Sequence, residues 1–533
     1  MAILLGPILH LEKQFGAATW RFSVHVMTDE VDATTDVGCQ FDDAAAVVHP
    51  AARVAVFAEQ RRSVWAFLVE VPRSDGERAL TYTITSDGET RRFDAVAIPA
   101  SDRMPRIVYF SCNGFSSAGL MRQTADPNAL WRRMQELHRS GMTNPTPNVP
   151  SSIHVMIGGG DQVYADSLPV LEELDRLSSR ELRRLQTSTA RQAKALREYL
   201  ELYQNRWSQP EVAEMLARVP VVFTWDDHDI FDGWGSHGED IQENKAYLDI
   251  FAAARAAFRA LQLGGDPSGR APALLEPADN RDEGPFLQSV RLHAGNDAVD
   301  IVALDSRTHR TPERVLSGSQ WQDLNAYLDG LTAPQGKRTH LLVVSAVPVV
   351  HLRFRAVGWI LRNLIPGVQE IEDDVLDQWE HPAHLDERAR LILTLLRHQA
   401  RSRCRVTILS GDVHAGALGK MESTRDDHQV AGAQPPARIM QITSSGIVHP
   451  SPSSWQRTAL ELLGAEGEDE VTAGVATTMM PIDSQSDRLW ARNFLLIDVD
   501  HADATVPHQL WARFIPEERR APRVVTITPL PSS

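Results

Sequence analysis

Cysteine is scarce in this chain: Cys39, Cys112 and Cys404 are the three in 533 residues. So few thiols cannot form a disulfide framework, so a reducing compartment is expected and the chain is read as cytoplasmic. An excess of positive charge is lacking too. Seventy acidic side chains against 54 basic ones leave a net charge of −16 at pH 7, which argues against a general nucleic-acid-binding surface. No apolar run approaches the length of a membrane span. Met1-Ala2-Ile3-Leu4-Leu5-Gly6-Pro7 has neither the charged start nor the apolar length of a signal peptide, so no membrane partner is expected. Internal repeats and low-complexity tracts are absent. So is a Gly-x-Ser-x-Gly elbow, which leaves serine-nucleophile chemistry weakly supported.

What is present fits a globular protein: hydrophobic content is 43% and charged content 23%. The length suggests one large catalytic domain and a smaller one. Four short apolar runs stand out. Ile153 to Ile157, broken only by His154, runs into Gly158-Gly159-Gly160-Asp161-Gln162-Val163-Tyr164-Ala165-Asp166. Pro220 to Trp225 ends in Asp226-Asp227-His228-Asp229, Val406 to Ser410 ends in Gly411-Asp412-Val413-His414, and Ile107 to Phe110 ends in Ser111-Cys112-Asn113. Each reads as a buried strand. One aspartate after a glycine is an ordinary helix N-cap. Four strands that all end in metal-ligand types are better explained by a hydrolytic metal site at the strand ends, where open α/β sheets place their ligands.

Taken together and in order, Ser-Cys-Asn, Gly-Asp-Gln-Val-Tyr-Ala-Asp, Trp-Asp-Asp-His-Asp and Gly-Asp-Val-His resemble the alkaline phosphatase D (PhoD-like) family of calcineurin-like metallophosphoesterases. Leu304-Asp305-Ser306-Arg307 and Asp377-Gln378-Trp379-Glu380-His381-Pro382 fit as well. The resemblance spans roughly Arg106 to Ile447. It implies an α/β fold, the calcineurin-like β-sandwich flanked by helices, and hydrolysis of phosphate monoesters or diesters by a bridging hydroxide on a dinuclear or trinuclear centre. Cys112, Asp161, Tyr164, Asp227, Asp412 and His414 are the implied metal ligands. Asp227 is preferred to Asp226 because it aligns with the Asn of the superfamily's Gly-Asn-His motif.

The ligand types divide into a thiolate–phenolate–imidazole set and an oxygen-only set. The resemblance implies Fe³⁺ and Ca²⁺; spacing alone also admits Mn²⁺, Mg²⁺ or Zn²⁺. The superfamily's His on the strand before the last motif has no counterpart in Val344-Ser345-Ala346-Val347-Pro348. His228 takes the position beside the leaving group, with Asp229 or Asp226 fixing its tautomer. Arg307 either clamps the phosphate or pairs with Asp305. The substrate is expected to be a small phosphate ester. A non-catalytic, metal-stabilised binding scaffold is the competing reading.

Residues 1–100 show short alternating runs with polar turns, as in Trp20-Arg21-Phe22-Ser23-Val24-His25-Val26, and are expected to form a small all-β, sandwich-like domain. It would shield an edge of the core or support a homo-oligomer. Residues 101–533 would form the phosphoesterase domain. Leu168 to Trp207 reads as inserted helices, and together with Trp359 to His384 it is expected to set specificity.

Overall fold

The computed structural model describes residues 2–29, 37–143, 152–265, 271–275, 284–331, 337–351, 379–454, 457, 467–482, 488–500, 508–518 and 522–531. Two large sheets face one another. The first, eleven-stranded among the described residues, is centred on the parallel strands Ile107–Phe110, Val155–Gly159 and Val221–Thr224. The second, nine-stranded among the described residues, is centred on Asp297–Ala303, Lys337–Ser345, Arg405–Ser410 and Ala437–Thr443, again parallel.

Strand alternation distributes the side chains between layers. Ile107, Tyr109, Val155, Ile157 and Val222 meet Ile301, Leu342, Val344, Leu409 and Ile442 in the core between the sheets. Their neighbours Val108, Phe110, Met156, Val221 and Phe223 point outward, into a core shared with the helices Thr189–Trp207 and Lys245–Leu261. On the second sheet Val302, Leu341, Val343, Val406 and Ile408 do the same beneath Gly318–Gly330 and Leu385–Ser402. The result is the expected α/β sandwich flanked by helices. Central strands covered on both faces read as continuous apolar runs.

The N-terminal strands share the first sheet. Ile3–Leu11 pairs in parallel with Val221–Thr224 through His10 and Val221, and antiparallel with Thr19–Thr28. Thr19–Thr28 in turn pairs with Arg62–Pro72. Val37–Phe41, Arg78–Ser86 and Glu89–Ile98 make a small sheet of their own. It stacks on the first through Phe22, Phe41, Tyr82 and Phe93. This sandwich-like arrangement is present, with a core continuous with that between the two large sheets.

The inserted helices include Pro169–Asp175 and Thr189–Trp207, the latter capped by the Ser188 hydroxyl accepting from Arg191 N. Pro382 begins a short 3₁₀ turn, Pro382–His384, that leads into Leu385–Ser402. Most of the region Trp359 to His384 expected to set specificity, residues 359–378 with Asp377-Gln378 among them, lies outside the described residues.

Candidate metal centre

The central strands deliver their polar ends to one place. Ile107–Phe110 runs into Ser111-Cys112, Val155–Gly159 into Gly160-Asp161, Val221–Thr224 into Trp225-Asp226-Asp227-His228, and Arg405–Ser410 into Gly411-Asp412. The approach is tight. A Cβ on Gly159 would lie 2.1 Å from the Tyr109 hydroxyl. One on Gly160, whose φ is +105°, would lie 2.8 Å from Asp226 Cβ. Glycine alone accommodates both demands.

Left-handed backbone at non-glycine residues clusters here. Among the described residues nine have positive φ, and four of them are Cys112 (53°), Asp161 (54°), Asp412 (70°) and His414 (50°). Each such residue costs on the order of 1 kcal/mol and persists where surrounding structure fixes it. The loops are laced together accordingly: Cys112 N donates to Gly160 O at 3.2 Å, Asn113 N to Asp161 O at 2.7 Å, and Val448 N and His449 N to Cys112 O at 3.2 and 3.1 Å.

Two overlapping groups of buried or half-buried donors result: Asp161, Asp227 and His228, and Asp161, Asp226 and Asp412, with ligand atoms mutually within 4.8 Å. Asp161 belongs to both, as a bridging carboxylate would. Cys112 Sγ lies 3.6 Å from Asp161 Oδ2. Tyr164 stacks on His228 with ring centroids 4.3 Å apart, and His414 stacks on His449 at 3.7 Å. Asp161 Oδ1, the Tyr164 hydroxyl and His414 Nδ1 are buried and make no hydrogen bond. Buried polar atoms left so are costly unless a ligand engages them.

The electrostatics point the same way. Burial pushes the Asp161 carboxyl well above the usual carboxylate range, and Asp226, Asp227 and Asp229 add to it against the opposing pull of His228. Burial likewise raises the Cys112 thiol, followed by the Asp161 charge. The Tyr164 phenol is raised by burial, then by Cys112 and Asp161. Burial drives His414 well below its ordinary value. Three acids that resist ionisation and a histidine kept neutral are what a pocket built for cations shows on its own. Bound positive charge would favour thiolate, phenolate and carboxylate, and a neutral imidazole is already the ligating form. The residues therefore fit a metal cluster.

Six sequence-predicted ligands are thus brought together, four through the donor groups and the Cys112–Asp161 contact, Tyr164 and His414 through the ring stack. Two other assignments need correction. Asp229 does not hold the His228 ring: its Oδ1 accepts from Gln162 N (3.0 Å), Val163 N (3.2 Å) and Gln262 Nε2 (2.8 Å), and its Oδ2 from Asp226 N (3.0 Å). Burial lifts its pKa to about 6 despite these bonds. Asp166 takes the expected role, with both carboxylate oxygens 2.9 Å from His228 Nδ1. Burial alone would lower His228, but Asp166, Asp227 and Asp161 outweigh it and hold the ring above its ordinary value.

Arg307 is the second. It is fully buried, donates through Nε to Asp226 and through Nη1 to Trp234 O at 3.0 Å, and lies 3.4 Å from Asp227 Oδ1. A guanidinium so engaged braces the two aspartates; it neither clamps phosphate nor pairs with the Asp305 side chain. Asp305 accepts instead from Trp225 Nε1 (2.8 Å) and Arg307 N (3.0 Å). Asn113 is structural, its Oδ1 accepting from Trp131 Nε1 at 2.9 Å and Arg206 Nη2 at 2.6 Å. Arg206 is half-buried and also donates to Asn128 Oδ1 at 3.0 Å.

Asp166 and His449 were not assigned from the sequence, and Asp226 was read there only as a possible partner of the His228 ring. Asp226 sits next to an identical residue, and nothing in the sequence says that both reach the site. Asp166 lies inside the motif, but its spacing carries no geometric signal. His449 joins the site by ring stacking from a distant loop.

Buried carboxylates, a histidine and a thiol thus gather at the strand ends of an α/β sandwich. Residues 72–369 match the PhoD related phosphatases, and the chain belongs to that family. The matched span begins among the N-terminal strands and ends before Asp412 and His414. The chain is also 23% identical over 484 residues to an uncharacterized protein of Saccharomyces cerevisiae, an alignment covering 75% of this chain. It spans 64% of that curated relative's length. The solved structure of PhoD superposes with a TM-score of 0.55 at 12% identity, covering 99% of this chain and 90% of that one, which shows a shared fold.

Proposed function

We propose that this chain hydrolyses phosphate esters, diesters, monoesters or both, at a multinuclear metal centre shared by Asp161. The observation that carries this reading is the convergence of two donor groups on that one buried carboxylate. Cys112, Tyr164 and His414, with Asp161, supply the mixed sulfur, oxygen and nitrogen set that suits Fe³⁺. Asp227 and Asp412, again with Asp161 and with Asp226 beside Asp412, supply an oxygen-only set that suits Ca²⁺, with Mn²⁺, Mg²⁺ or Zn²⁺ as alternatives. Cations held there supply an activated water and neutralise charge on the phosphoryl oxygens.

The chain's own groups do the rest. Asp166 fixes the Nδ1 side of His228, leaving Nε2 to donate a proton to the departing oxygen. Arg307 braces the carboxylates of Asp226 and Asp227 from one side. Asp229 pins the backbone of Gln162, Val163 and Asp226, so the two acidic loops keep their spacing. Three free cysteines support placement in a reducing, cytoplasmic setting.

The test is turnover of bis-p-nitrophenyl phosphate and p-nitrophenyl phosphate by protein purified with its metals. Asp161→Asn is expected to reduce kcat on the order of 10²-fold or more. Full cation occupancy with no turnover of either ester would favour a non-catalytic scaffold instead.

A further inference from the structure

We infer that His449 is a positioning residue: its imidazole is an aromatic plate, not a ligand, that sets the rings of His414 and Tyr164. The inference rests on the functional reading above, because it concerns how two of the proposed ligands are held.

Four rings lie face to face through the site. His228 stacks on Tyr164 at 4.3 Å with planes 28° apart, Tyr164 on His449 at 5.6 Å and 15°, and His449 on His414 at 3.7 Å and 16°. His449 therefore separates the phenol from the imidazole and contacts both. Its own nitrogens are occupied. Nδ1 lies 3.0 Å from the Pro450 carbonyl, which can only accept, so Nδ1 carries the proton; Nε2 then accepts from the Ser116 hydroxyl at 3.2 Å. No lone pair remains for a cation. The backbone anchors the plate as well, with His449 N donating to Cys112 O at 3.1 Å and Ile447 N to Ser111 O at 2.9 Å. A Cβ on Gly446 would approach His449 O to 2.7 Å and Cys112 Cβ to 3.3 Å, so this loop sits hard against the Cys112 loop. One residue thus touches the loops of Cys112, Tyr164 and His414. Partners of this kind fix ligand orientation, and their loss typically weakens metal binding about 10- to 100-fold.

The test compares His449→Phe, which keeps a flat ring and loses both side-chain hydrogen bonds, with His449→Gln, which keeps a donor and an acceptor and loses the plate. Full-length proteins stripped with chelator are titrated with Mn²⁺ in a calorimeter, and melting is measured without metal to confirm folding. His449→Gln is expected to weaken Mn²⁺ binding about tenfold or more, and His449→Phe to restore most of the affinity. Equal affinities in wild type and His449→Gln, or equal losses in the Gln and Phe variants, would overturn the inference while leaving the functional reading intact. A wild-type protein that binds no Mn²⁺ would overturn both.

Discussion

Asp166 and Asp229 show how little sequence proximity says about partnership around one histidine. The residue next to His228 in the chain turns away to collect backbone hydrogen bonds, and one 62 positions earlier holds the ring. Their substitutions should therefore fail differently. Asp166→Asn is expected to lower kcat/KM for a diester about tenfold or more while barely moving the urea midpoint. Asp229→Asn should remove about 1–3 kcal/mol of stability, because a buried acceptor with four donors loses its match. A stable Asp229→Asn protein with the larger catalytic loss would reverse the assignment. Arg307 makes a sharper case. With Asp226 and Asp227 dependent on it, Arg307→Met should cost about 3–5 kcal/mol in metal-free protein. Added Mn²⁺ would supply the missing positive charge, so the deficit should shrink when urea unfolding is repeated with the cation. Equal deficits under both conditions would contradict this role.

The strands that carry the site are easy to see in the sequence, because burial on both faces leaves them mostly apolar and a polar cluster marks each end. Ile3–Leu11 is harder to see. Gly6 and Pro7 interrupt it, which ordinarily demotes a strand, and the structure absorbs them as irregularities in its pairing with Thr19–Thr28. That one strand carries the junction between the N-terminal layer and the central sheet. Loop geometry is the least legible part. Nothing in the composition of Cys112, Asp161, Asp412 or His414 announces a left-handed backbone, since the conformation is imposed by neighbouring loops. Gly160 reports it indirectly. Gly160→Ala is expected to destabilise the protein by about 1–3 kcal/mol, from its φ and the contact with Asp226, and to lower cation affinity. A thermal melt with a parallel Mn²⁺ titration checks both; an alanine protein with wild-type affinity would show that the loop has slack.

Across the whole molecule, buried neutral histidines set an acid limit that has nothing to do with the metal site. Burial lowers His10 to about 3 and both His138 and His340 to about 4. The geometry agrees. His138 Nε2 donates to Ala95 O at 2.8 Å and Nδ1 accepts from Ile153 N at 3.3 Å, so a second ring proton would face a donor. In the unfolded chain these rings bind protons near pH 6.5, so below that pH the unfolded state holds more protons and stability falls. At pH 5 the loss is on the order of 2 kcal/mol per residue. The urea midpoint of metal-free protein should therefore drop steadily from pH 7 to pH 5, and His138→Gln should flatten part of that slope. An unchanged midpoint over this range would contradict the account of the buried histidines. Among the described residues no helix is long and apolar enough to cross a membrane, and the cytoplasmic placement remains a proposal for fractionation of the native host cells to check.

Elemental analysis of purified wild-type protein beside Asp161→Asn tests the central claim most directly. Two or more cations per wild-type chain, with iron and calcium the leading candidates, and loss of most of that metal in the variant are expected. A wild-type protein with no stoichiometric metal, or an Asp161→Asn protein with an undiminished load, would contradict it.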